Sequence, residues 1–292
     1  MSFADYSGRD KCERTIREKW DTFRSDLANG RFKYDDIKKA KIKTDFMASF
    51  DDIFSNCHKY FDSSLSAVLS RPTVTVRAGK LMTDDPEPTY SRFIPDKKYI
   101  TEHNRFSPPG VEWLYLSIGN LEDAEMCALK ECRASDGDKF GLCEFRLNEK
   151  YAERSLVDLT IADGLKYDEI NSQFEAGVAC VANRVLLKSI NEIKYRGYPS
   201  KPNGTEIEKL FVKWAAFTYA KLLSREIFLP VETEDKELMY SPFQCMAQYF
   251  LSYGYEGIVY SSTVFPKGKN VVIFDKYAAN PTGKIKIVYI TE

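Results

Sequence analysis

Two stretches of the chain carry residues whose types and spacing can do chemistry. The first is Asn104-Arg105-Phe106-Ser107-Pro108-Pro109-Gly110, followed by Tyr115 and then by Glu131. Two prolines and a glycine make a stiff turn, and a stiff turn can hold the forked guanidinium of Arg105 ready for a phosphate or a carboxylate. Tyr115 falls on Trp113-Leu114-Tyr115-Leu116-Ser117, which reads as a strand, and Glu131 falls near the end of the next helix. The second stretch starts at Gln244 and continues through Tyr253-Gly254-Tyr255-Glu256-Gly257-Ile258-Val259-Tyr260-Ser261-Ser262 to Gly268-Lys269-Asn270-Val271-Val272-Ile273-Phe274. It reads as helix, glycine turn, strand, polar loop and strand. Ser261 and Ser262 end a buried-type strand, where hydroxyls can point into a cleft. Plainer readings exist for each residue: Arg105 and Glu131 as surface charges or an ion pair, Tyr115 as core, the serines as strand-end hydrogen-bonding groups.

Composition narrows the chemistry. The 292 residues hold only two histidines, His58 and His103, so a three-imidazole site is excluded and Ser-His-Asp or Cys-His catalysis is disfavoured. His58, beside Cys57 on a helical stripe, reads as structural, and His103 as a polar surface group on a loop, with a substrate contact as the alternative. Seven cysteines at scattered spacings contain no CxxC pair, which argues against a zinc ribbon or a thioredoxin-like site and favours a reducing cytoplasm. Lys and Arg number 42 against 43 Asp and Glu, so no whole-protein electrostatic footprint for nucleic acid is expected. The N-terminus carries charges where a signal peptide needs an apolar run, and no stretch is apolar enough to span a bilayer, so a soluble, cytoplasmic protein is expected. Aromatic residues make up 14% of the chain. A chain of this length buries roughly 75% of its unfolded surface.

These residues need elements to position them. Cys12, Ile16, Trp20, Phe23 and Leu27 step along one helical face, with Asn29-Gly30 as a stop. Ile42, Phe46, Phe50, Ile53, Phe54, Cys57 and Phe61 form a second stripe. Residues 1–71 therefore read as a helical region, core-forming or a partner or dimer surface. Thr73-Val-Thr-Val-Arg77 alternates as a strand, and Asp84-Asp85-Pro86-Glu87-Pro88 marks a loop. Further strands are predicted over 90–94, 113–118, 141–147, 156–161, 257–261, 271–275 and 284–290. Helices are predicted over 121–133, 167–195, 206–228 and 242–253. Thr205 with Glu208 forms a capping box, Gly254 a C-terminal cap, and 194–201 a solvated loop. No GxGxxG or GxxxxGK[ST] occurs, which removes a Rossmann or P-loop reading. The class is α+β, with residues 72–292 as a catalytic-type domain.

Several of these motifs, in this order, resemble the RES domain family. Asn104–Tyr115 and then Ala128-Leu129-Lys130-Glu131 match its N-terminal half, with Tyr90-Ser91-Arg92 upstream. Gln244, the run from Gly254 to Ser262 and the run from Gly268 to Phe274 match its C-terminal half. The resemblance covers about residues 88–276. Phe106-Ser107 replaces the family's commoner Trp-Asn. The stretch from Tyr115 to Glu131 is longer than usual, which leaves Glu122 and Glu125 as alternatives to Glu131. Alignment to Tyr-x-Ser favours Ser262 over Ser261.

The resemblance implies an ADP-ribosyltransferase-like split β-sheet flanked by helices. It also implies NAD as substrate with no metal, cleaved at its nicotinamide–ribose bond by hydrolysis or phosphorolysis. The alternative is transfer of ADP-ribose to a protein or nucleic acid. Such proteins act as bacterial growth-arrest toxins or defence effectors, some with a cognate antitoxin. By the same likeness Arg105, Glu131 and Ser262 would be catalytic. Arg92, Arg105, Tyr115, Gln244 and Ser261 would bind NAD. Glu131 would stabilise an oxocarbenium-like state, the arginines would hold the pyrophosphate, and Tyr115 would face the cationic nicotinamide ring.

Overall fold

The computed structural model describes residues 9–29, 44–82, 87–196, 204–224 and 236–291. Among the described residues seven helices lie in this chain order: α1 (Arg9–Ala28), α2 (Asp45–Cys57), α3 (Leu65–Leu69), α4 (Leu121–Glu131), α5 (Tyr167–Arg196), α6 (Gly204–Leu222) and α7 (Lys236–Ser252). Eight strands accompany them: β1 (Asp62–Ser64), β2 (Val74–Leu81), β3 (Leu114–Gly119), β4 (Lys139–Leu147), β5 (Ser155–Asp158), β6 (Gly257–Ser261), β7 (Lys269–Ile273) and β8 (Ala279–Tyr289). Among the described residues no helix is long and apolar enough to cross a membrane. Ile42, Gly30, most of the loop 84–88 and the ends predicted at 197–201 and 225–228 lie outside the described residues.

Local sequence explains several element ends. Thr44 caps α2 by accepting from Met47 N, and Asn120 caps α4 by accepting from Asp123 N. α7 stops at Gly254, which holds φ +96°, with Gly254 N donating to Leu251 O and Tyr255 N to Phe250 O. That is the paired hydrogen bonding of a Schellman ending. β5 is shorter than expected because Asp158 Oδ1 accepts from both Thr160 N and Thr160 Oγ1, turning the chain. Gly204 is already helical, so Thr205 lies within α6 rather than at its cap. α7 begins ahead of Pro242, which costs one backbone bond while Phe243, Met246, Ala247 and Phe250 bury the helix face.

The strands hydrogen-bond in the order β1-β5-β6-β7-β3-β2-β4-β8, antiparallel throughout except for β5 with β6. A split β-sheet in an α+β chain was expected; the eight strands form one mixed sheet, opened along a single line. β2 and β3 pair only through Val74 with Gly119, Thr75 with Ile118 and Val76 with Ser117. Beyond that, Arg77 to Leu81 pair with β4 and Leu114 to Leu116 pair with β7. The two strands part, and the gap between them is a cleft. The predicted strand at 90–94 is instead a 3-10 turn, Tyr90–Phe93. Its Phe93 is buried against Gly79 and Gly141, where a side chain would collide with the ring, and Tyr90 Oη donates to Gly283 O. The segment lies across β2, β4 and β8 as a plug instead of adding a strand.

The aromatic excess packs one face of the sheet. Trp20, Phe46, Phe50, Phe54, Tyr219, Phe243, Phe250, Ile258 and Val272 belong to one buried cluster that joins α1, α2, α6 and α7 to β6 and β7. Phe50 is fully buried, its ring centroid 5.2 Å from Tyr249, 5.5 Å from Phe54, 5.7 Å from Phe250 and 5.8 Å from Tyr219. Truncating it leaves a cavity that these rings cannot fill. Phe50→Ala is expected to destabilise the fold by about 3–5 kcal/mol. Urea unfolding should show a lower midpoint at unchanged slope.

Candidate active site

The cleft between β2 and β3 has a volume of about 390 Å³ and contains Arg105, Tyr115 and Glu131 in its wall. β2 supplies Arg77, β3 Tyr115 and Ser117, the end of α4 Glu131 and Arg133, and the neighbouring strands Tyr260 and Asn270.

The proline-rich turn is fixed at both ends. Asn104 N donates to Ser107 O at 2.9 Å and Gly110 N to Ile100 O at 2.8 Å. Tyr115 Oη receives Phe106 N at 3.3 Å and meets Ser107 Oγ at 2.9 Å. Gln244 Nε2 donates to Asn104 O at 3.0 Å and lies 3.2 Å from His103 Nδ1. Phe106 is buried, with its ring 4.9 Å from that of Tyr260. Arg105 is thereby presented from a rigid frame. Its Nη2 donates to Thr263 Oγ1 at 2.7 Å, and its guanidinium carbon lies 5.7 Å from the Tyr260 ring and 6.0 Å from the Phe243 ring.

Two cationic donors in this wall lack partners. Arg105 Nη1 and Arg77 Nη1 are both buried without a hydrogen bond among the described residues. Burial pulls the Arg77 guanidinium below its ordinary pKa, with Cys132 and Tyr115 acting weakly the other way. An unpaired buried cation is a standing cost to the folded state, and an anion bound in the cleft relieves it.

The carboxylate is held by a short chain of hydrogen bonds. Glu131 Oε1 accepts from Asn270 Nδ2 at 2.7 Å. Asn270 Oδ1 in turn accepts from Ser117 Oγ at 2.7 Å and from Cys127 Sγ at 3.4 Å. Two donors on Oδ1 fix which way the amide points, so its NH₂ must face Glu131. Burial raises the Cys127 pKa, with Glu131 adding to it, which keeps the thiol protonated as a donor. Burial likewise keeps the Tyr260 hydroxyl protonated, pushing it well above its usual value.

Of the three candidate glutamates, Glu131 alone lines the cleft; Glu125 pairs with Lys286 at 2.6 Å, and Glu122 sits in the first turn of α4. Gln244 stands behind the loop rather than in the wall. Three other expectations change. Arg92 Nη2 donates to Lys80 O at 2.7 Å, because the turn that carries it lies over the far end of β2. Ser261 Oγ donates to Asp163 Oδ2, and Ser262 Oγ accepts from Val264 N and Phe265 N. Both serines therefore shape the turn after β6 and neither lines the cleft. His103 is half-buried and lines the cleft, which is the place its substrate-contact reading requires.

Arg77, Asn270 and Tyr260 were not singled out from the sequence. Arg77 had a signal: it is the charged residue in an otherwise β-branched strand, in phase with buried Thr75. Asn270 had one too, as an amide at the head of the apolar run Val271-Val272-Ile273-Phe274, where a buried polar group must find partners. Comparison with known protein families, with curated proteins and with solved structures finds no match.

Proposed function

We propose that this chain cleaves the nicotinamide–ribose bond of NAD, as a glycohydrolase or phosphorylase of the RES type on an ADP-ribosyltransferase-like scaffold. The observation that carries the reading is one cleft holding two unpartnered guanidinium donors opposite a carboxylate fixed by an amide. The opening of the sheet between β2 and β3 supports the scaffold. In this reading the pyrophosphate lies on Arg77 and Arg105, which are suited to forked contacts with its oxygens. The nicotinamide ring, cationic before cleavage, faces Tyr115.

The bond from the ribose C1′ to the ring nitrogen breaks, and its electron pair leaves with nicotinamide, which departs neutral. No proton donor to the leaving group is needed. Positive charge develops on the ribose, and Glu131 stabilises it through the oxygen that Asn270 does not occupy. An oxygen of water or phosphate then bonds to C1′, and the proton that water must lose goes to solvent. Gln244, Ser261 and Ser262 act by shaping the cleft walls. The biological role proposed is a growth-arrest toxin or defence effector in the cytoplasm, with an antitoxin as the partner.

Incubation with NAD should release nicotinamide, with ADP-ribose as the product in water and its 1-phosphate in phosphate buffer. Glu131 is exposed at the cleft mouth, within reach of a larger acceptor. Label from adenine-tagged NAD appearing on protein or nucleic acid, with little free ADP-ribose, would identify a transferase instead. Asn270→Ala frees the carboxylate without removing it. It is expected to lower kcat by about 10–100-fold, the worth of one hydrogen bond to a charged group. KM should stay within about threefold, because the pyrophosphate contacts remain. A loss confined to KM would place Asn270 on the substrate rather than on Glu131.

A further inference from the structure

We propose that Arg133 binds an additional phosphate dianion at the mouth of the cleft. The proposal rests on the NAD-cleavage reading for the place of the dinucleotide, but adds an anionic group that NAD lacks. α4 ends with Arg133 N donating to Lys130 O at 2.9 Å and Ala134 N to Leu129 O at 3.1 Å. This ending puts the first of these two donor residues into left-handed backbone, where glycine is usual because a Cβ is strained there. Arg133 occupies it with φ 53° and is the one non-glycine residue with positive φ among the described residues.

A side chain set at local cost on a cleft wall points to a role for that side chain. Arg133 is exposed, lies two residues beyond Glu131 and lines the same cleft. No hydrogen bond or ion pair engages its guanidinium among the described residues. Arg77 and Arg105 are partly buried and serve the pyrophosphate; Arg133 stands further out, where a group projecting towards solvent would meet it. Arginine is the side chain suited to phosphate oxygens. The same dianion can come from two sources. NADP carries it on the adenosine ribose 2′-oxygen, and inorganic phosphate carries it as the acceptor for the cleaved ribose.

The test compares the wild-type chain with Arg133→Gly. Glycine suits the left-handed position, so the variant should fold with a thermal midpoint equal to wild type or on the order of 2 °C higher. Calorimetry at low ionic strength measures binding of NAD, NADP and inorganic phosphate, and nicotinamide release is followed in parallel. The NADP-over-NAD affinity ratio, or the affinity for inorganic phosphate, is expected to fall at least tenfold in the variant. Arg133→Lys, which keeps the charge, should recover part of it. A loss on NADP identifies the substrate's own phosphate, and a loss on inorganic phosphate identifies the acceptor. If wild type and Arg133→Gly bind both alike, or neither binds, the proposal is wrong. Arg133-dependent binding without any nicotinamide release would leave the anion site standing and overturn the cleavage reading alone.

Discussion

Glu131→Gln is expected to reduce nicotinamide release from NAD by about 10²–10³-fold, the loss seen when one preorganised electrostatic contact to a developing charge is removed. The substitution keeps the shape and one oxygen, so the Asn270 amide can still donate to the side chain. What disappears is the negative charge beside the ribose. Because that charge matters as the oxocarbenium forms, the loss should fall on kcat and leave KM within a few-fold. The protein should remain folded, since Glu131 is exposed and its removal opens no cavity. Circular dichroism and a thermal midpoint matching wild type would separate lost chemistry from lost structure. A variant that keeps more than about half of the wild-type rate would remove Glu131 from the mechanism.

Arg77→Met should act with the opposite kinetic signature. Methionine keeps an unbranched apolar stem but deletes a partly buried cation that has an unpartnered nitrogen and a pKa lowered by burial. In the free protein that deletion removes a desolvation cost, so stability is expected to hold or rise. In the complex it deletes charge-assisted bonds to the pyrophosphate, each worth about 1.5–3 kcal/mol. KM for NAD should therefore rise by about 10–100-fold. Added inorganic pyrophosphate should inhibit wild type and lose most of its effect on the variant. A large stability loss with unchanged KM would instead make Arg77 a structural residue of β2.

Much of the site's frame was legible in the sequence. The stiff turn at Pro108-Pro109-Gly110 and the strand bearing Tyr115 stand out locally, because proline and glycine fix backbone choices that neighbours cannot override. The helix stripes through Phe46, Phe50, Phe54 and Trp20 were legible for the same reason, since periodicity is a local property and the core followed it. The choice among Glu122, Glu125 and Glu131 was not. It depends on which end of α4 meets the cleft, and that is set by the pairing of β3 with β2 and β7.

Arg92 was misplaced because Tyr-x-Arg matches a strand pattern, while the buried plug at Phe93 and the bond from Tyr90 to Gly283 bend the segment into a turn. Ser261 and Ser262 were overvalued for a related reason: short hydroxyl side chains after a strand bond readily to nearby groups, and these two do. Arg77 needed the topology to be seen. A strand arginine gains a function only once its strand parts from the next one, and no local pattern announces where a sheet opens.

The central claim is that the cleft cuts the nicotinamide–ribose bond. The most direct measurement is a time course of nicotinamide and ADP-ribose products from NAD, resolved by chromatography, with wild type and Glu131→Gln side by side. Wild type should release one nicotinamide per NAD lost, and the variant should release it about 10²–10³-fold more slowly. Intact NAD with the wild-type protein, or equal release by both, would contradict the account.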